Sequence, residues 1–284
     1  VNLDEAYDRC ESITRSEARN FSYGIRLLPA PKRRAMSALY AVARRIDDLG
    51  DGDAPEPDRR KALDAMRADL RAIAADPSAG GEDPVLVALA DACRRWPIPM
   101  EALGELIDGC EMDLDGTRYE RFDDLLVYCR RVAGAIGRLS LGIYGCAEPA
   151  VAAPLADALG VALQITNVLR DIVEDRDTMG RVYLPAVDAA RFGLDADLRG
   201  PEEGVCALIC FEAARAEDWY DTGLALLPLL DRRSRACTAA MAGIYRRLLR
   251  AIQLDPAAVL RKRVSLPSWQ KAAVAARALG RGEA

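Results

Sequence analysis

The sequence predicts an all-α fold, and three observations predict it. Apolar residues recur at three- and four-residue spacing along nearly the whole chain, alternating β-branched runs are missing, and the periodic stretches are separated by Pro- and Gly-rich turns. A first helix is expected over Asp4–Asn20, with Ile13 inward. Pro29 and Pro31 break the chain, and Pro31 suits the opening turn of a helix over Lys32–Leu49, where no helical N–H bond is lost. Asp51–Asp58 is a Gly/Pro/Asp loop, followed by a helix over Arg59–Ala75 with Leu63, Met66, Leu70 and Ile73 on one face. A second acidic loop, Asp76–Pro84, precedes Val85–Arg95, and Pro97 and Pro99 open Met100–Leu114. Phe122–Gly145 reads as one long helix carrying Gly134, Gly137 and Gly142 in its interior, with Gly145 at its end or inside it. Each interior glycine costs up to about 1 kcal/mol relative to Ala. Close contact with another helix would justify them, and so would a smooth wall along which a slender apolar ligand lies. A central helix runs through Val151–Val168 and on past Asp175. It is followed by Pro201–Leu230, Arg232–Gln253 and a pair around Pro256–Arg263 and Pro267–Leu279. With no fixed-period repeat and no long linker, residues 1–284 are read as one domain of roughly ten helices.

Composition narrows the function classes. Apolar residues make up 51% and charged ones 29%, the balance of a globular protein. A net charge of −5 gives no basic face for a nucleic-acid partner, while the plentiful arginines suit phosphate. The 8 cysteines form no C-x-x-C pair, which favours free thiols and a reducing, cytoplasmic setting. With no histidine, zinc, copper and non-haem iron have poor ligands here, and clustered carboxylates favour Mg²⁺. The most apolar run, Val151–Val168, contains Pro154, Asp157, Gln164 and Asn167, so it reads as a buried helix rather than a membrane span. Peripheral association with a membrane remains compatible with the sequence, and oligomeric state leaves no trace in it.

Two stretches depart from ordinary helix design. In Gln164–Pro185, the residues Gln164, Asn167, Asp171 and Asp175 share one face, with Glu174 beside them and a stop at Gly180. In Tyr40–Asp51, the residues Tyr40, Arg44, Asp47 and Asp51 share a face, with Gly50 and Gly52 flanking the last acid. In both, like charges one turn apart repel and crowd a helix C-terminus, where the macrodipole is already negative. A solvated helix end explains one such cluster. Two, each preceded by long hydrogen-bonding side chains, point to facing walls of a cavity that holds cations.

Mg²⁺ held by such walls keeps open positions for substrate phosphates, so the implied substrate group is a diphosphate. Arg44 and Arg181 are placed to bind its remaining oxygens. An apolar helical cavity suits a hydrocarbon chain, and departure of the diphosphate leaves a carbocation that needs aromatic faces or hydroxyls nearby. Tyr40 and Tyr128 are candidates, or else hydrogen-bonded core residues.

On these residues the chain resembles the squalene/phytoene synthase family, the trans-prenyltransferases that join two prenyl diphosphates head to head. The resemblance is carried by Phe21–Pro29 (FSYGIRLLP), Ala38–Asp51 (ALYAVARRIDDLGD), Tyr128–Gly137 (YCRRVAGAIG), Gln164–Asp175 and Gly180–Pro185 (GRVYLP), in order along nearly the whole chain. It implies an isoprenoid-synthase helical bundle around a central cavity. It further implies that Asp47, Asp51, Asp171 and Asp175, with Asn167, hold two or three Mg²⁺ ions through the substrate diphosphate. Arg19, Asn20, Arg44, Arg181, Tyr245 and Arg263 would contact diphosphate oxygens. Phe21, Tyr40 and Gln164 would line the same mouth, Tyr128 would stand near the cation, and Val132, Ala133, Ile136 and Gly137 would touch the prenyl chains.

Within the family, the segments Arg19–Pro29 and Lys32–Asp51 look closest to the hopanoid-pathway branch that stops at presqualene diphosphate, made from two farnesyl diphosphates. Phytoene synthesis from two geranylgeranyl diphosphates is the alternative, followed by full conversion to squalene. No NADPH is expected, as no G-x-G-x-x-G follows a strand, though reducing members lack it too. Asp47, Asp48 and Asp51 also satisfy D-D-x-x-D, the signature of head-to-tail prenyltransferases and some terpene cyclases. A prenyl-lipid-binding assembly factor is the non-enzymatic alternative, against which both intact acidic motifs argue.

Overall fold

The computed structural model describes residues 2–18 and 20–281. Its α-helices are α1 (Leu3–Glu17), α2 (Phe21–Ile25), α3 (Ala30–Asp51), α4 (Glu56–Ala75), α5 (Pro84–Arg95), α6 (Glu101–Leu114), α7 (Phe122–Cys129), α8 (Ala135–Tyr144), α9 (Pro149–Asp177), α10 (Ala186–Arg191), α11 (Glu202–Leu224), α12 (Arg232–Leu254), α13 (Ala258–Arg261) and α14 (Ser268–Arg281). Among the described residues there is no β-strand, only an antiparallel bridge between Cys146 and Leu230.

Local chemistry sets where these helices begin. The Asp83 carboxylate accepts the Val85 and Leu86 N–H groups at the start of α5, and Asp231 accepts those of Arg233 and Ser234 at the start of α12. Prolines occupy the first turn of α3, α5 and α9.

Packing then gathers the helices around two long ones. Helix α3 is covered by α1, α4, α5, α6 and α8, and α9 by α7, α8, α11, α12 and α13. An apolar core forms around each: Leu39, Val42 and Ile46 of α3 sit in the first, and Ile165, Leu169 and Ile172 of α9 in the second. Phe21 and Val132 pack against both cores, so they mark the seam between them. Helix α9 is long and apolar enough to cross a membrane, but 61% of its most apolar window is buried inside the protein, as befits a core helix.

The structure differs from the sequence reading at several places. Helix α1 stops at Glu17, and Phe21–Ile25 forms a separate short helix. Helix α11 ends at Leu224, short of the predicted Leu230, and a 3₁₀ turn follows at Leu227–Leu229. The stretch Phe122–Gly145 is not one regular helix, because residues Arg130–Gly134 form a π turn in which the Ala135 N–H donates to the Arg130 carbonyl. The interior glycines are explained by close contact. A Cβ on Gly137 would fall on the Ala156 carbonyl oxygen of α9, and one on Gly160 would fall on the Ala133 carbonyl oxygen. Backbone meets backbone here, and the direction in which a Gly137 side chain would project is closed by α9.

Candidate functional site

Helices α3, α6 and α9 end close together, each carrying acids in its last turns: Asp47 and Asp51, Asp113, and Asp171 and Asp175. The residue that joins them is Arg181. Gly180 adopts a left-handed φ of 67°, which terminates α9 and turns the chain back so that the Arg181 N–H donates to the Asp175 carbonyl at 2.8 Å. From there the guanidinium reaches Asp51 Oδ1 at 2.8 Å and lies 3.9 Å from Asp113 Oδ1. Carbonyl-rich ends of several helices thus meet a concentration of carboxylates, and the field at this mouth is strongly negative.

The carboxylates record that crowding. Burial, then the neighbouring Asp51, pushes the Asp47 carboxyl up to about 7, against the pull of Arg44. Burial, then Asp171, pushes Asp175 up to about 7, against Arg181. Burial also raises Asp113, opposed by Arg181 and by hydrogen bonds from Tyr183 and Tyr128. Asp113 is within electrostatic reach of both Asp47 and Asp175, so it stands between the two acidic helix ends.

This arrangement has a pH signature. Glu212, buried in α11, is likewise pushed up to about 7 by burial. From roughly pH 4 to 7 the folded protein keeps protons on Asp47, Asp175 and Glu212 that the unfolded chain has released. Their contribution to stability is therefore lost as pH rises through that window. With no histidine in the chain, no other side chain ordinarily titrates between pH 5 and 7.5. The metal-free protein is expected to melt at a higher temperature at pH 5.5 than at pH 7.5, by differential scanning calorimetry. A melting temperature that climbs over that range would contradict the assignment.

The other sequence-predicted residues fall around this centre. Arg263 donates to both oxygens of Asp171, at 2.8 and 3.1 Å, with Glu174 3.9 Å away. Arg170 clasps the same carboxylate through Nε at 2.8 Å and through Nη2. Arg44 pairs with Asp48 at 2.7 Å and is largely exposed. Phe21 stacks on Tyr245 with ring centroids 5.5 Å apart and lies 6.5 Å from Tyr40, an aromatic group beside Arg170. Asn167 Nδ2 donates to Gln164 Oε1 at 3.4 Å. Val132 and Ala133 sit half-buried on the π turn, and Ile136 lies on the helix that follows it. Arg19 lies outside the described residues.

Sequence reasoning missed Asp113, Arg170, Tyr119 and Tyr183. The hydroxyls of Tyr128 and Tyr183 each donate to a different oxygen of Asp113 at 2.9 Å. The three tyrosine rings cluster with centroids 5.0 to 6.3 Å apart. Tyr183 lies inside the Gly180–Pro185 segment that carries the family resemblance, which is the signal that could have found it. Asp113 had no such flag, being one acid among Asp108, Glu111 and Asp115.

The donor set suits Mg²⁺ bound together with a diphosphate. Its ligand atoms are all oxygen, and the buried Oδ1 of Asn167, one turn before Asp171, has no hydrogen-bond partner, so an acceptor stands open beside the acids; the buried Oδ1 of Asn20 is likewise unpartnered. Among the described residues no three side chains of His, Cys, Asp or Glu converge to cage an ion by themselves. A cation would therefore draw part of its coordination from substrate oxygens, as Mg²⁺ commonly does.

Comparison with known proteins follows the same line. Residues 14–270 match the family model described as squalene/phytoene synthase. A phytoene synthase from Mycobacterium tuberculosis is 51% identical over 285 residues, covering 98% of this chain and 92% of that protein. Among solved structures, a dehydrosqualene synthase superposes with a TM-score of 0.88 at 28% identity, covering 97% of this chain and 95% of the other. Squalene synthase HpnC from Alicyclobacillus acidocaldarius superposes with a TM-score of 0.79 at 34% identity, covering 89% and 94%. The chain belongs to the squalene/phytoene synthase family, and with it to the head-to-head prenyltransferases of isoprenoid-synthase fold.

Proposed function

We propose that this protein is a phytoene-forming enzyme that joins two geranylgeranyl diphosphates head to head. The observation that carries this reading is the 51% identity, over 98% of the chain, to a protein named phytoene synthase. The squalene and dehydrosqualene synthases of known structure share 34% and 28%. The expectation of a farnesyl-using enzyme that stops at presqualene diphosphate gives way to its alternative.

In this reading Asp47 and Asp51 face Asp171 and Asp175 across the diphosphate, and Arg44, Arg181 and Arg263 take phosphate oxygens. Mg²⁺ held by these four aspartates would supply neutralisation of the charge that builds on the diphosphate as it departs. The half-buried Val132, Ala133 and Ile136 border the hydrocarbon chain, and the tyrosine rings lie near the positive charge left on it. The first substrate ionises to an allylic cation. The 2,3 double bond of the second attacks it, and loss of a proton closes a cyclopropane. The second diphosphate then leaves, the resulting cyclopropylcarbinyl cation rearranges as the ring opens, and loss of a second proton gives the central double bond of the C40 hydrocarbon, so no reductant is consumed.

Purified protein with Mg²⁺ is to be supplied with C20 and C15 prenyl diphosphates separately, and the extracts analysed by mass spectrometry. A C40 hydrocarbon from the C20 substrate, formed at least ten-fold faster than any C30 product, is expected. A C30 product still bearing diphosphate as the dominant species would reinstate presqualene diphosphate, and a cyclic C15 hydrocarbon would point to a cyclase.

A further inference from the structure

Asp113 has a geometry that the metal-binding role of the other acids does not explain. Its side chain is 12% exposed and receives two phenol protons, one on each oxygen. A phenol has one proton and two lone pairs. Once the Tyr128 proton is committed to Asp113, the Tyr128 oxygen offers only lone pairs in every other direction. The Tyr183 hydroxyl, 3.3 Å away, is committed in the same way to the other carboxylate oxygen. Burial raises Tyr128 well above the ordinary phenol range, so it stays neutral. Both Asp113 oxygens accept a phenol proton and the Arg181 guanidinium stands 3.9 Å away, the setting of a carboxylate. Tyr128 lies one turn before the half-buried Val132.

We infer that Asp113 is a positioning residue for Tyr128: it takes the phenol proton, turns the oxygen lone pairs toward the carbocation, and backs them with a buried anion. The inference rests on the proposed head-to-head reaction, in which such a cation forms. It names the chemistry that a neutral substitute would lose. An asparagine at position 113 offers one acceptor oxygen and one N–H₂ donor, so only one of the two tyrosines can go on donating. The other must accept, and its own O–H proton then points away from residue 113. At Tyr128 that proton would face the developing positive charge.

The test is a double-mutant cycle read as the single-turnover rate of diphosphate release, using whichever prenyl diphosphate the wild type turns over. Asp113→Asn is expected to lower that rate about 100-fold with KM little changed. On a Tyr128→Phe background the same substitution is expected to cost less than three-fold, because its intermediary is gone. Losses that multiply in the double variant would overturn the inference, and so would a change confined to KM, which would make Asp113 a support for Arg181 instead. If Asp113→Asn does not fold, the cycle is run with Asp113→Glu, where a smaller loss should again vanish on the Tyr128→Phe background. A wild type that releases diphosphate but makes no head-to-head product refutes the proposed function alone. Multiplying losses refute the role of Asp113 alone, and a wild type inert to both substrates refutes both.

Discussion

Asp47→Asn is expected to reduce turnover by about 10³-fold, roughly 4 kcal/mol of transition-state stabilisation, while the metal-free protein melts no lower than wild type at pH 7.5. The two effects separate because Asp47 is a liability to the fold. It is held among Asp51, Asp48 and Asp113, and the Cys110 thiol donates to its Oδ1 at 3.9 Å. An amide of the same shape removes like-charge repulsion and leaves packing intact. In the proposed reaction the same amide removes an anionic oxygen from the wall that faces the diphosphate. Stabilisation of the fold by Mg²⁺ with inorganic diphosphate, a linkage effect, should fall with activity. Thermal melts with and without Mg²⁺ and diphosphate, alongside steady-state rates, check both halves. Wild-type turnover, or a destabilised apoprotein with unchanged ligand response, would remove Asp47 from the site.

Gly160→Ala is expected to destabilise the protein by about 3 kcal/mol and lower its melting temperature by roughly 6–10 °C. On an open helix face this substitution would gain about 1 kcal/mol. Here the new methyl group meets the Ala133 carbonyl and comes within 2.8 Å of Gly134 Cα, backbone atoms that no rotamer change can move aside. The two helices must part. Because α9 carries Asp171 and Asp175 while the π turn begins two residues after Tyr128, parting them should cost activity as well. Gly104→Ala serves as the control, since its nearest neighbour is the flexible Arg67 guanidinium at 3.8 Å. That variant should be as stable as wild type or slightly more so. Calorimetry on the pair decides, and equal melting temperatures would contradict the close-seam account.

Helical periodicity located the long elements because their apolar stripes face the cores around α3 and α9. What it left open depended on tertiary contact. The glycines of residues 134–142 fitted either a close seam or an open wall in one dimension, and only the position of Ala156 chose between them at Gly137. The π turn was hidden because its residues keep an uninterrupted helical pattern in sequence. At the site, the acids announced themselves by breaking helix-dipole rules twice. Asp113 broke no rule; its meaning comes from Tyr128, Tyr183 and Arg181, which reach it from 15, 70 and 68 residues away. Arg44 shares a face with Asp47 in sequence, yet the structure pairs it with Asp48.

The convergence of the two acidic faces is tested most directly by anomalous diffraction from crystals grown with Mn²⁺, in place of Mg²⁺, and inorganic diphosphate. The account requires anomalous peaks in the space bounded by Asp47, Asp51, Asp171 and Asp175, with Arg181 and Arg263 turned from their carboxylates onto diphosphate oxygens. Manganese absent from that space while diphosphate is bound, or peaks beside one face with the other turned to bulk solvent, would contradict it.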